Sequence, residues 1–220
     1  MKFTKLLLMV IVFGASVKFT FAQNKFTAYL MPAATIKYAL TKKIHQSFAL
    51  EDRNFIYEND ESDLRLKHLE LAHFTKFELK ENHQLGFGLS YRFESDKNHE
   101  NELRLMQQYE WKNTAASIIK HRVRTEERIY TSLTKYRLRY QTKLTFPTKP
   151  FSDNLSVLNE AMVALCSQTK PEYEERLAIF AEWHFSKSFQ LEAGPQYRLS
   201  DFTHNASHNL FLSAVLNFEI

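Results

Sequence analysis

The sequence predicts an all-β chain: a single antiparallel up-and-down transmembrane β-barrel of about 12 strands (10–12), preceded by a cleaved signal peptide. Three observations carry that expectation. Apolar and polar side chains alternate with period two over segments that mostly run past ten residues, whereas strands of soluble sheets cluster near about 5 or 6 and membrane-spanning strands need about 9 to 11. Beyond residue 22 there is no apolar run of the roughly 20 residues that a spanning helix requires. The first 22 residues are laid out as a secretory leader.

In that leader Lys2 and Lys5 precede the almost wholly apolar Leu6 to Val17, and Thr20-Phe21-Ala22 places small residues before Gln23. Cleavage after Ala22 is expected, with the barrel domain at residues 23–220. No Cys follows the cleavage point, so a lipoprotein anchor is not indicated. The 220 residues include 29 Lys plus Arg against 25 Asp plus Glu, with 44% hydrophobic, 14% aromatic and 25% charged residues. That is too apolar for a disordered tail and too charged for a helical membrane bundle. The leader holds Lys2, Lys5 and Lys18 and no acid, so the remaining chain is nearly neutral. Its basicity therefore points to no nucleic-acid partner. The lone Cys166 makes no internal disulfide and no thiolate metal cluster.

The elements follow from the alternation. Phe26 to Leu40, Ile44 to Tyr57 and Leu64 to Leu79 are extended but less regular. In Gln84 to Glu94, Leu85, Phe87, Leu89, Tyr91 and Phe93 oppose Gln84, Gly86, Gly88, Ser90, Arg92 and Glu94. Glu100 to Lys112 sets Leu103, Leu105, Tyr109 and Trp111 against Glu102, Arg104, Gln108, Glu110 and Lys112. Ala115 to Tyr130 is less clean. Leu133 to Phe146 is the clearest, with Lys135, Arg137, Arg139, Gln141 and Lys143 on one face and Tyr136, Leu138, Tyr140, Leu144 and Phe146 on the other. A helix would scatter both sets around its circumference. After Ser156 to Cys166, the segment Tyr173 to Phe185 opposes Leu177, Ile179 and Trp183 to Glu174, Arg176 and Glu182. Phe189 to Ser200 and a final segment ending at Phe218 and Ile220 complete eleven extended stretches.

An even strand number is expected of a single-chain bacterial barrel, and a break at Pro32, followed by Ala33-Ala34, supplies the twelfth strand. Short turns near 41–43, 80–83, 113 and 186–188 then fall on one side, with connections near 58–62, 95–99 and 201–206 on the other. Thr148 to Leu155 is a longer connection on the short-turn side. The alternating end at Phe218 and Ile220 resembles the terminal signal read by barrel-assembly machinery, with Ile in place of the usual terminal Phe.

With apolar faces toward lipid, the polar faces line the interior, where Glu51, Arg53, Glu102, Arg104, Glu110, Arg122 and Arg124 meet Glu126, Arg128, Arg137, Arg139, Glu160, Arg176 and Glu182. Two readings stand. The charges neutralise one another and plug the barrel, which near-equal counts favour, or the arginines line a narrow anion-selective pore. A soluble β-domain would instead expose these ladders to water, where they gain little.

Glu51 and Arg53, the Glu102 to Trp111 stretch, His121-Arg122-Val123-Arg124 with Glu126 and Arg128, and Tyr136-Arg137-Leu138-Arg139-Tyr140 before Pro147 carry a resemblance. So do Asn159-Glu160, and Arg176-Leu177 leading to Trp183, Ser186-Lys187 and Leu191. Over nearly the whole mature chain these residues resemble domain-of-unknown-function family 2490, outer-membrane β-barrels common in Bacteroidetes, which are Gram-negative. The resemblance implies fold and outer-membrane location; its partners are outer-membrane lipid and barrel-assembly machinery. It transfers no catalytic residue.

No catalytic, metal or cofactor site is expected. Glycine-rich phosphate loops and dinucleotide fingerprints are absent. Of the nine histidines, only His204 and His208 sit in a suggestive cluster, with Asp201 and Ser207. That cluster is the basis for a rim-located lipid hydrolase as an alternative, since a nucleophile needs a base and an orienting third group.

Overall fold

The computed structural model describes residues 26–58, 61–114 and 118–220. The expected leader, residues 1–22, lies outside them. All regular structure among the described residues is β: β1 (Phe26–Thr41), β2 (Ile44–Glu58), β3 (Arg65–Lys80), β4 (His83–Glu94), β5 (Glu102–Thr114) and β6 (Ile118–Ile129). β7 (Thr134–Thr148), β8 (Ser152–Cys166), β9 (Thr169–His184), β10 (Phe189–Ser200) and β11 (Ser207–Glu219) follow. Each strand pairs with its sequence neighbours, and β1 closes onto β11 to complete a barrel.

The strand number corrects the expectation of twelve. Eleven strands alternating in direction leave the first and last pointing the same way, so the closing pair must be parallel. The β1·β11 register indeed runs parallel from Phe26↔His208 to Lys37↔Glu219. Pro32 does not break β1. Its pairing with β11 continues through Pro32↔Ala214, while the ladder to β2 lapses between Leu30↔Asn54 and Ala33↔Glu51. Proline lacks one N–H donor, and a locally loosened corner absorbs that loss. Register shifts at Ala28/Tyr29 and Arg53/Asn54 lie in the same corner.

Two connections also differ from expectation. β8 begins at Ser152, so the anticipated long connection after β7 shrinks to residues 149–151. β9 begins at Thr169, which leaves only residues 167–168 after β8. One end of the barrel, the turn end, carries residues 42–43, 81–82, 149–151 and 185–188. The other, the loop end, carries 61–64, 95–101, 130–133, 167–168 and 201–206. At the tight turn 81–82, Asn82 takes a φ of 63°, which an Asn side chain tolerates.

Polarity is reversed relative to a water-soluble core. On β5, Glu102, Arg104, Met106, Gln108 and Glu110 are buried, while Leu105 and Tyr109 are exposed. The same alternation leaves Leu138 and Tyr140 of β7, and Leu177 and Ile179 of β9, exposed on the outside. Apolar clusters inside are small: Tyr29, Phe55 and Phe211 in one, and Leu158, Ala178 and Phe180 in another.

Gly194 marks a close backbone approach. A Cβ there would lie 1.9 Å from the Ile179 carbonyl oxygen, and the β9·β10 register skips from Ala193↔Ala181 to Gln196↔Ala178 around Gly194 and Pro195. Gly194→Ala should destabilise the barrel by about 1–3 kcal/mol, read as a lowered thermal transition. Gly86→Ala, where the Cβ meets only the flexible Gln108 side chain, should cost less. The seam is tested with Leu30→Cys and Leu212→Cys, placed at paired positions in a Cys166→Ser background. These cysteines should form a disulfide under mild oxidation, because Cα atoms of adjacent strands lie within reach of an S–S bridge. Failure to cross-link would mean the closing pair is wrong.

Candidate functional site

The interior charges come from the inward positions of successive strands, where i and i+2 share a face. Register then decides who meets whom. Arg104 lies opposite Arg128, and Arg124 opposite Arg139. Like charges directly opposed are destabilising, so the carboxylates act from diagonal positions. Glu102 Oε1 accepts from Arg104 Nε at 2.8 Å and from Arg128 Nε at 2.8 Å. Its Oε2 accepts from the Tyr130 hydroxyl at 2.8 Å and lies 3.4 Å from Arg92 Nη1.

From this node the network runs both ways. Arg104 Nη1 reaches Glu70 Oε1 at 3.2 Å, and Arg92 Nη2 donates to Glu70 Oε2 at 2.7 Å. In the other direction Glu126 faces Arg139 at 2.5 Å, Arg137 at 3.5 Å, Arg124 at 3.7 Å and Arg104 at 3.9 Å. Arg139 bridges onward to Glu160 at 2.6 Å, which also takes Arg122 at 2.9 Å and Arg176 at 3.3 Å. Arg176 Nε donates to Glu174 Oε1 at 2.5 Å. Glu102, Glu126 and Glu160 are only 1%, 2% and 1% exposed.

Two contacts reach across the interior between strands three apart. Lys143 of β7 pairs with Glu192 of β10 at 2.6 Å, and the Arg124 guanidinium of β6 lies 4.9 Å from the centre of the Phe74 ring of β3. Gly88 provides room for that ring: a Cβ there would come within 2.4 Å of it. Next to the seam the chemistry changes. Arg198 stacks 3.6 Å over Phe211, with Arg53 5.0 Å from the same ring and Tyr29 stacked on it at 4.6 Å. Lys67 lies 4.8 Å over Tyr29.

The structure therefore joins Glu102, Arg104, Arg122, Arg124, Glu126, Arg128, Arg137, Arg139, Glu160 and Arg176 into one connected set. Glu51 and Arg53 pair separately at 2.8 Å. Glu110 and Glu182 lie toward the turn end and take lysines: Lys76 and Lys120 on Glu110, and Lys143 on Glu182 at 3.4 Å. Sequence reasoning did not single out Glu70, Arg92, Glu174, Arg198 or these lysines. Arg92 was visible on the polar face of a clean strand, but only register shows that it meets Glu70 and Glu102.

The model of the family described as Protein of unknown function (DUF2490) matches residues 23–209. The chain belongs to that family. The matched span of this DUF2490 protein contains every residue of the connected network and ends within β11, before Phe211. Comparison with curated proteins and with solved structures finds no match.

At the rim of the DUF2490 barrel, the Asp201–His208 cluster does not form a relay. His204 Nδ1 faces both Asp201 Oδ1 at 3.1 Å and Thr203 Oγ1 at 3.0 Å. A base between nucleophile and orienter uses its two ring nitrogens separately; here both contacts fall on one. Ser207 Oγ accepts from Asn209 Nδ2 at 3.3 Å, and His208 Nδ1 bonds the Tyr197 hydroxyl. Residues 201–206 form a turn and His208 lies on β11, so the two histidines do not share a helical face. Among the described residues no three of His, Cys, Asp and Glu are placed to hold a metal ion.

Glu126→Gln should leave the guanidinium groups of Arg137 and Arg139 short of buried counter-charge. Breaking a buried pair in this way costs about 3–5 kcal/mol, so the variant should unfold at markedly lower temperature or denaturant. Glu127→Gln, one residue along and outward-facing, should stay within about 0.5 kcal/mol of wild type.

Proposed function

We propose that this DUF2490 protein is an outer-membrane barrel whose interior is closed by its own ion pairs, and that it serves a structural or surface-interaction role without catalysing a reaction. The observation that carries the reading is the reversed polarity: large apolar side chains exposed on the outside of most strands, and charged ones buried within. Apolar surface of that extent is stable against lipid and costly in water.

Further features support it. Strands of 12 to 16 residues, tilted by about 40°, suffice to cross a hydrocarbon core of about 30 Å. Outer aromatic contacts gather toward both ends. Trp111 with His121 and Phe189 with Phe218 lie toward the turn end, and Tyr91 with Phe93 and Phe26 with Tyr57 toward the loop end. Such girdles suit membrane interfaces. Closure gives the strand backbones the partners that lipid cannot supply. The family match begins at Gln23, directly after the expected leader cleavage site, which fits export. Residues reaching across the interior, Lys143 to Glu192 and Arg124 to Phe74, favour a closed barrel over a conducting one.

The protein should fractionate with outer membranes and migrate faster on gels unless boiled, and recovery as a detergent-free soluble protein would overturn the membrane assignment. In planar bilayers the wild type should show no steady conductance. Stable openings whose anion selectivity weakens in Arg137→Gln and Arg139→Gln would replace the closed barrel with a narrow pore. Leu138→Arg should cost about 2–4 kcal/mol if Leu138 lies near the bilayer midplane.

A further inference from the structure

The turn-end mouth opens into a cavity of about 570 Å³, within the range of small-molecule sites. Lys37, Lys76, Lys112 and Lys120 line it against one acidic side chain, Glu219. Beneath the lining, Lys76 Nζ and Lys120 Nζ both fall on Glu110 Oε2, at 3.1 and 2.9 Å. The other Glu110 oxygen accepts from Gln108 Nε2 at 3.1 Å. One buried carboxylate thus serves two ammonium groups, and one positive charge remains over. Lys37 and Lys112 have no carboxylate within 4.0 Å among the described residues. The nearby Glu78 is engaged by His45 at 3.3 Å and Gln84 at 3.4 Å.

We propose that this mouth is a binding site for a small multivalent oxyanion of the phosphate class, held by Lys37, Lys76, Lys112 and Lys120. Each ammonium offers three rotatable donors on a flexible stem, which suits a compact anion of several oxygens. Glu110 holds two of the four in place at the floor, and the ion-pair layer beneath stops the anion from passing through. The site depends on the barrel geometry alone and not on where the barrel resides. The phosphate could come from solution or from a lipid headgroup at the rim.

The test is calorimetric titration of the intact protein in neutral detergent with inorganic pyrophosphate, at low and moderate salt. Binding should be measurable, should weaken as salt rises, and should fall by about tenfold or more in Lys112→Glu and Lys120→Gln. Glu110→Gln should tighten it, because both floor lysines lose their competing carboxylate. A heat-modifiability gel confirms that each variant is folded, and Lys112→Glu, at the exposed rim, keeps the test decisive if Glu110→Gln fails to assemble. Absence of binding by the wild type, or equal binding by folded Lys112→Glu and Lys120→Gln, would overturn the proposal. Repeating the titration in phosphatidylcholine discs with and without phosphatidic acid separates the sources. Loss of pyrophosphate binding only with phosphatidic acid identifies the lipid headgroup, and unchanged binding identifies phosphate from solution.

Discussion

The rest of the barrel depends on the way a few buried carboxylates are shared among guanidinium groups. A chain that turns its leucines and phenylalanines outward must place its charges inward, and isolated buried charges are too costly to tolerate. Glu102, Glu126 and Glu160 solve this by each facing several arginines from neighbouring strands. Because each carboxylate accepts more than one charged donor, the network gains little from being assembled and loses much from being interrupted. It acts on register: a slip by one residue would turn every charge to the outside.

Strand direction, facing and approximate boundaries were legible in the alternation. The Leu133 to Phe146 segment is the clearest example, since β7 covers nearly that span and Arg139 is buried while Leu138 is exposed. The eleven extended stretches were legible as well; the twelfth strand came from the even-number expectation for single-chain barrels, which put a break at Pro32. A missing N–H suggests a break in one dimension, but with β11 on one side and a lapsed ladder on the other the strand continues. The start of β8 was obscured for a related reason: polar Ser152 to Asn154 resemble a loop, yet Ser152 is buried, its hydroxyl bonded to Thr148 Oγ1 and donating to the Asn154 carbonyl.

The network's membership was half legible for a different reason. Residue type and parity place Arg137 or Glu160 inside, but partners two strands away follow from register and tilt, which no single segment contains. Glu70 sits in a less regular stretch and meets Arg92 and Arg104 only after β3, β4 and β5 are aligned. The seam cluster of Tyr29, Phe55, Arg198 and Phe211 joins residues from both ends of the chain. Parity already put Lys112 and Lys143 on inward polar faces, but only register brings Lys76 and Lys120 onto Glu110, and Lys143 onto Glu182 and Glu192.

The parallel closing pair also governs how the fold could be re-cut. Where strand number is even, the first strand starts and the last strand finishes on one side, and a short linker can join them while a new opening is made elsewhere. Here β1 begins at the loop end and β11 finishes at the turn end. A linker joining them would have to run the full height of the barrel, either through the interior past its buried ion pairs or across its apolar outer wall. Rearrangements of chain order that are neutral for an even barrel are therefore topologically closed to this one.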